Sequence, residues 1–394
     1  MKILVLNYEF PPLGGGSSPI TKDLAIEISK ENKIDLITMN FNGLKKQEAI
    51  NENFFVYRVN CFRTKKEKST FLEMLSFLMP AYLKAKELIK KSIKENKKYD
   101  LIHCHFIFPT GIIAYLIKKK FKIPYIITSH GSDVPNYNPD RFKLLHFLLK
   151  PFWKKILNES EKIICPSERL KKLILFSQDN KKKDITEKKI VVIPNALNLT
   201  KRKINLEKKE KIILYAGRLF QRKGVQYLIN AFDLLNTSNT KKSKDWKLFI
   251  SGDGDYKKEL EKIANKTKSK NKIKFLGWLD KESLYKLYEK SSIFVLPSSE
   301  ESFGMVLIEA MMFGNAIITT KATGTEEVVY NSGLLINKDE KIIEKELKEK
   351  LESLINDKLL LNNYQKKSLT RAQNFSLSKI SKKYIYEFEN ISNN

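Results

Sequence analysis

The sequence predicts an α/β protein made of two doubly wound domains, and three observations carry that prediction. Short apolar runs alternate with longer amphipathic or charged stretches along the chain, the rhythm of β-α-β units on a parallel sheet. After a Lys-rich, apolar-poor connector, Lys201 to Lys211, the rhythm restarts, so two sheet cores are expected with a boundary near Leu199 to Lys211. The length, 394 residues, suits two or three domains at a loose prior of about 150 residues each. Two Rossmann-like domains of this kind are expected to face each other across a crevice, with ligands outside the carboxyl ends of the strands.

Taken in order, the first domain's strands are expected at Lys2 to Asn7, Ile34 to Met39, Phe54 to Val59, Leu101 to His105, Tyr125 to Ser129, Lys162 to Cys165 and Val191 to Ile193. The second domain's are expected at Ile212 to Ala216, Leu248 to Ser251, Ile273 to Leu276, Ile293 to Leu296, Ala316 to Thr319 and Leu334 to Ile336. Each is a short apolar run bounded by polar or turn residues. From Asp339 onward the pattern turns to helices rich in Glu, Lys and Leu, and no solenoid repeat is visible. The expected domains are 1–200 and 201–375, with a final helix at 376–394 returning to the first.

Composition narrows the class. With 42% hydrophobic residues the chain is globular despite 30% charged ones. The net charge is +28; up to Asn205 there are 39 bases and 20 acids, net +19, and the remainder carries +9. The first half is therefore expected to face an anionic partner: a membrane surface, nucleic acid or a phosphorylated substrate. Cys61, Cys104 and Cys165 are too few and too scattered for a disulfide framework, which fits a reducing cytosol. Ile3 to Leu6 is too short for a secretory signal, and Leu101 to Ile117 contains His103, His105, Pro109 and Gly111, so no membrane span is expected.

Several loops carry candidate chemistry. Asn7 closes the first strand, and Gly14, Gly15 and Gly16 lie between it and a helix starting near Ser18 or Pro19, where backbone amides can approach an anion or a sugar. The segment matches neither GxGxxG nor a P-loop. AGRLFQRKG puts Arg218 and Lys223 past the end of the second domain's first strand, two cations suited to a diphosphate. In PSSEESFGMVLIEAMMFG, Glu301 lies in a loop, Gly304 opens a helix, and Glu309 is expected about two turns in, so both carboxylates reach one crevice beside helix amides. HGSD places His130 and Asp133 at the carboxyl edge of the first sheet. His103 and His105 share one strand face without further metal ligands nearby, Cys104 pointing the other way. Asp253 and Asp255 look like a DxD metal pair but read as a glycine turn with Asp255 capping the next helix.

In sequence order, YEFPPLGGG, HGSD, IPNALNL, AGRLFQRKG, SGDGD, FLGWLD, PSSEESFGMVLIEAMMFGNAIITT and TGTEEVV together resemble the retaining glycosyltransferases of family 4, which have the GT-B fold. The likeness runs from Lys2 to about Leu335, with FSLSKISKKYIYEFE resembling the family's closing helices. It implies a nucleotide-sugar donor, UDP- or GDP-linked, held by the C-terminal domain, an acceptor held by the N-terminal domain, and no catalytic metal or cofactor. It assigns Arg218 and Lys223 to the diphosphate, Glu301 to donor sugar hydroxyls, Glu309 to the ribose and His130 to the sugar near the reacting centre. Gly15, Gly16, Gly277, Phe303, Gly304, Met305 and Val306 fall at further donor-binding positions, His105 and Asp133 on the acceptor side, and Glu327 at an acid of less definite role. The sequence departs from the family at Ala196 and Asn198, where Gly and Asp are usual, at Thr323 for Gly and at Asp255 for Pro.

The resemblance implies hexosyl transfer to a lipid-linked or glycan acceptor in cell-surface polysaccharide or glycolipid synthesis. A GT-B epimerase or a synthase with a soluble sugar acceptor remains open. So does a basic nucleic-acid-binding protein, although no nucleic-acid-binding motif accompanies the lysines. For the membrane reading, Arg141 to Leu157 places Phe142, Leu145, Leu149, Phe152 and Ile156 on one helical stripe, with Lys143, Lys150 and Lys154 roughly opposite and a kink at Pro151. Thr70 to Leu83 adds a second apolar stretch with flanking lysines. The expected location is cytoplasmic, peripheral on the inner face of the membrane.

Overall fold

In the computed structural model, residues 1–392 are described except 67, 136–142, 178–185, 199–202, 238–242, 302 and 323, and the side chains of 143–150. The chain divides into two units: Met1–Asn198 with Leu377–Asn394, and Leu199–Ser376.

The first unit holds an eight-stranded sheet: β1 (Lys2–Leu6), β2 (Lys33–Met39), β3 (Gln47–Asn51), β4 (Phe54–Val59), β5 (Leu101–His105), β6 (Tyr125–Thr128), β7 (Lys162–Cys165) and β8 (Ile190–Val192). Their order is β3-β4-β2-β1-β5-β6-β7-β8. Neighbours pair in parallel except β3 and β4, an antiparallel edge pair. Strand β3 is the one the sequence hides. QEAIN alternates exposed and half-buried positions at the edge, so it presents no apolar run. Its helices are α1 (Ser17–Ile28), α2 (Phe71–Lys94), α3 (Thr110–Phe121), α4 (Lys143–Glu159) and α5 (Glu168–Phe176).

The second unit has six parallel strands, β9 (Glu210–Ala216), β10 (Lys247–Ser251), β11 (Ile273–Gly277), β12 (Ser291–Leu296), β13 (Ala316–Thr320) and β14 (Gly333–Ile336), in the order β11-β10-β9-β12-β13-β14. Its helices are α6 (Val225–Thr237), α7 (Lys257–Lys266), α8 (Lys281–Lys290), α9 (Met305–Met312), α10 (Thr325–Val329), α11 (Ile343–Asn356) and α12 (Lys358–Ala372). The last helix, α13 (Leu377–Ser392), belongs to the first unit. Leu377, Ile380, Tyr384 and Phe388, at helical spacing, join Leu24, Ala25 and Ile28 of α1 in one core.

With edge strand β3 set aside, both sheets start in the middle, wind outward one way and then the other. The direction reverses between β1 and β5 and between β9 and β12. At such a switch point the flanking loops diverge, leaving room for a ligand outside the strand ends. Gly224 shows how tightly the second one is built. It has φ 71°, and a Cβ there would lie 2.1 Å from the Pro297 carbonyl oxygen, so glycine lets the loop after β9 touch the end of β12.

Lys209, in the connector, is not a solvated lysine: its ammonium donates to the carbonyls of Tyr288 at 3.1 Å, Glu289 at 3.3 Å and Ser291 at 2.6 Å, capping α8. Burial lowers its pKa to about 7. Helix α2 begins with a capping box, Thr70 Oγ1 accepting from the Glu73 amide at 3.3 Å and Glu73 from the Thr70 amide at 2.6 Å. Its inner face buries Met74, Phe77, Ala81 and Ala85, while Leu72, Leu75, Met79 and Leu83 form an exposed stripe.

Candidate active site

The second unit's switch point gathers the charged groups. Arg218 lies on the loop after β9, exposed, and the Tyr215 hydroxyl pins that loop by donating to the Arg218 carbonyl at 3.0 Å. Lys223 follows in a short 3-10 turn and its ammonium donates to the Glu301 carboxylate, which also accepts from the Ser298 hydroxyl at 3.2 Å. The loops after β9 and β12 are thus joined by an ion pair. An ammonium has three donors, so Lys223 can hold Glu301 and still meet a phosphate oxygen.

Gly304, at φ 82°, starts α9 with no side-chain cap, so the first-turn amides around Met305 and Val306 are not capped from within. Glu309 is the fifth residue of α9, little more than one turn in, rather than the two turns expected. It accepts from the Tyr288 hydroxyl at 3.4 Å. Burial raises its pKa to about 7, against the pull of Lys281 and the Tyr288 bond. Glu301 and Glu309 therefore have different protein partners. Phe303, expected at the donor, has its ring buried edge-on to Phe375 at 5.9 Å, which leaves only its backbone for a ligand. Gly277 ends β11, and a Cβ there would meet open space.

Asp255 does not cap α7: the N-cap is Tyr256, with no side-chain bond, and Asp255 is exposed. Asp253 takes the local role instead, its carboxylate accepting from the Gly254 amide at 2.9 Å while its carbonyl accepts from Leu219 at 2.9 Å. Among the described residues, no three His, Cys, Asp or Glu side chains converge as a metal site. Thr323 lies outside the described residues. Glu327 is in α10, where Arg371 Nη2 donates to its carbonyl at 2.6 Å.

The first unit's switch point is built from imidazoles and carboxylates. Helix α1 starts at Ser17 with Gly16 as N-cap. Two amides of the glycine loop before it are already used: the Gly14 amide donates to the Lys66 carbonyl at 2.8 Å and the Gly15 amide to the buried Glu9 carboxylate at 3.3 Å. A carboxylate there repels a phosphate and accepts from a hydroxyl, so the sugar reading of this loop suits its chemistry better than the anion reading.

His130, half-buried, stands after β6, with its Nε2 at 3.0 Å from His105 Nδ1. His105 is 2% exposed and sits behind His130. Asp133 is also buried: its carboxylate accepts from the amides of Ile107 at 2.7 Å, Gly131 at 3.0 Å and His130 at 3.2 Å and from the Ser129 hydroxyl at 3.0 Å. Trp153 Nε1 donates to its carbonyl at 3.1 Å. Both residues expected on the acceptor side are therefore shielded, and both hold His130 in place. Burial lowers the pKa of His130 to about 4 and that of His103 to about 3, the latter helped by His130, and lowers that of His105 well below the usual range. The cluster is neutral at pH 7. Sequence reasoning missed Thr21, which reaches His105 only through folding, and the bond between the glycine loop and Glu9.

A pair of doubly wound units, one with cationic loops at its switch point and one with imidazoles at its own, has the architecture of GT-B glycosyltransferases. The chain belongs to the family 4 glycosyltransferases. Residues 198–371 match the family described as glycosyl transferases group 1, and residues 14–201 that described as glycosyltransferase family 4. An uncharacterized glycosyltransferase of Methanocaldococcus jannaschii is 30% identical over 355 residues, covering 84% of this chain and 83% of that protein. An N-acetyl-alpha-D-glucosaminyl L-malate synthase of Bacillus anthracis is 24% identical over 81% of this chain and 79% of its own. An alpha-monoglucosyldiacylglycerol synthase of Streptococcus pneumoniae is 26% identical over 58% and 54% respectively. Among solved structures, an Anabaena protein in complex with UDP matches with a TM-score of 0.72 at 19% identity, covering 99% of this chain and 100% of that one, a likeness of fold.

Proposed function

We propose that this glycosyltransferase moves a hexose-type sugar from a UDP- or GDP-sugar to a lipid-linked or oligosaccharide acceptor, with retention of anomeric configuration, in cell-surface polysaccharide or glycolipid synthesis. The observation that carries the donor half is the pairing of Lys223, on the loop after β9 that also bears the exposed Arg218, with Glu301 on the loop after β12, at the β9/β12 switch point. Breaking the bond from anomeric carbon to phosphate oxygen leaves positive character on the sugar and negative charge on the diphosphate. Arg218, Lys223 and the amides at the start of α9 stabilise that leaving charge. Glu301 accepts from sugar hydroxyls, Glu309 from the ribose, and His130 holds the sugar. The acceptor oxygen bonds the anomeric carbon on the face the diphosphate leaves, and its proton passes to the departing phosphate oxygen, so no pair of flanking carboxylates is needed.

The acceptor half is supported by α2. Leu72, Met79 and Leu83 are 71%, 64% and 52% exposed, and with Leu75 they form one apolar stripe on the more basic half of the chain. Near an anionic bilayer, each nearby base adds about 1 kcal/mol of attraction at low salt. The relative that makes a glucosyldiacylglycerol, by its name, fits a lipid-linked acceptor. The other stripe expected for this role is split: Phe152 is 62% exposed but Ile156 is buried, with Trp153 and Leu157 beside it in the core. Phe142 lies outside the described residues, as do the side chains of Leu145 and Leu149. No helix among the described residues is long and apolar enough to cross a membrane. We place the enzyme at the cytoplasmic face as a peripheral protein.

The test is product analysis with a panel of UDP-, GDP- and ADP-sugars and a lipid-linked acceptor, in EDTA. Retained-configuration product without metal supports the reading, whereas activity that needs Mn or Mg overturns the metal-free mechanism. For the membrane half, sedimentation with anionic liposomes is expected to carry the protein down at low salt, and Leu72→Ser with Met79→Ser to leave it in the supernatant. Equal recovery in the supernatant with and without liposomes favours a soluble acceptor.

A further inference from the structure

The hydrogen-bond directions around His130 can be worked out from groups that have only one option. The Glu9 amide can only donate, and it donates to Asn7 Oδ1 at 3.0 Å. That fixes the Asn7 side chain, whose Nδ2 then donates to Thr21 Oγ1 at 3.1 Å. The Thr21 hydroxyl has two acceptors in reach and its proton goes to the nearer, the Ser17 carbonyl at 3.0 Å, rather than to His105 Nδ1 at 3.4 Å. Thr21 has no proton left, so toward His105 Nδ1, at 3.4 Å, it shows a lone pair.

A bare nitrogen at His105 Nδ1 would set two lone pairs against each other in a buried site. A protonated one satisfies both neighbours, its N–H reaching the Thr21 oxygen and the closer His130 Nε2 at 3.0 Å. His130 Nε2 is then the acceptor and carries no proton. In a neutral imidazole the proton must sit on Nδ1. The two rings lie nearly parallel, 13° apart, and burial keeps both neutral.

We infer that His105 is a positioning residue: with Asn7 and Thr21 it locks His130 in the Nδ1–H tautomer, so that His130 offers a fixed hydrogen-bond donor to a sugar oxygen. The tautomer follows from the first unit alone, and only its use at a sugar rests on the function proposed above. His103 takes no part in this chain; its Nε2 bonds Thr128 at 2.8 Å.

The chain has four histidines, His103, His105, His130 and His146, so imidazole nitrogen resonances of ¹⁵N-His-labelled protein can be assigned by single substitution. Without substrate, His130 is expected to show a bare, pyridine-type Nε2 and a protonated, pyrrole-type Nδ1, and His105 a protonated Nδ1. A protonated Nε2 on His130 overturns the proposal. His105→Leu is expected to give His130 averaged tautomer signals and to lower turnover roughly fivefold or more at unchanged nucleotide affinity. His105→Asn, whose amide keeps an N–H near the Nδ1 position, is expected to restore the tautomer and most of that turnover. Unchanged His130 signals in the folded Leu variant also overturn it. If the wild-type protein transfers no sugar, the proposed function fails, while the nitrogen signals of the resting protein still decide the tautomer.

Discussion

The two units wind their strands in the same order yet equip their switch points oppositely. Beyond β9 and β12 stand an exposed guanidinium, an ammonium paired with Glu301, and Glu309, whose carboxyl titrates near neutrality. Beyond β1, β5 and β6 stand neutral imidazoles and a glycine loop already occupied by the Glu9 carboxylate. Topology therefore decides where each unit receives a ligand, and the loop side chains decide its chemistry. The second unit's loops suit phosphate charge. The first unit's suit neutral hydroxyls, because an anion there meets the Glu9 carboxylate and the imidazoles of His103, His105 and His130 are neutral.

The comparison breaks most visibly at the charged side. Arg218→Ala with Lys223→Ala leaves the core intact, and each charge-assisted bond contributes about 1.5–3 kcal/mol, so transfer is expected to fall by roughly 10²- to 10⁴-fold. Near-wild-type turnover in a steady-state assay would sink the diphosphate assignment. On the neutral side, His130→Ala is expected to lower turnover roughly tenfold while nucleotide affinity stays unchanged, since one neutral hydrogen bond is lost. Glu301→Ala should likewise affect turnover more than affinity.

A pH profile sharpens the contrast further. Burial raises the Glu309 pKa to about 7, so the carboxylate proposed to accept ribose hydroxyls is mostly protonated at pH 6 and mostly ionised at pH 8. Nucleotide affinity should rise about tenfold across that interval by titration, and Glu309→Gln should flatten the rise. His103, His105 and His130 stay neutral throughout, so they add no slope. The smallest effect belongs to the scaffold: Thr70→Ala removes the N-cap of α2 and should cost about 1 kcal/mol in urea unfolding, with nucleotide affinity untouched.

How much of this was legible in the sequence follows from what each feature depends on. Central strands such as β12 are buried on both faces and appear as unbroken apolar runs. Edge strand β3 carries no such signal. Arg218, Lys223, Glu301 and Glu309 were legible because short loops after consecutive strand-helix units keep them close in sequence to the strand ends. The cap assigned to Asp255 failed because helix α7 begins later, past Tyr256. His105 and Asp133 looked like ligand-facing groups from strand-end placement, but only folding shows that the HGSD loop covers them. Thr21 gave no motif at all, since its imidazole neighbour is remote in sequence, and Glu9, although inside YEFPPLGGG, was given no role because the path of its loop is not revealed by the sequence.

The central claim, that charge recognition resides in the second unit and neutral hydrogen bonding in the first, is tested most directly by calorimetric titration of UDP and GDP into two variants. The account predicts that Arg218→Ala with Lys223→Ala abolishes measurable binding of whichever nucleotide the wild type prefers, and that His130→Ala binds it as the wild type does. Loss of binding in His130→Ala, or its retention in the double variant, would contradict the account.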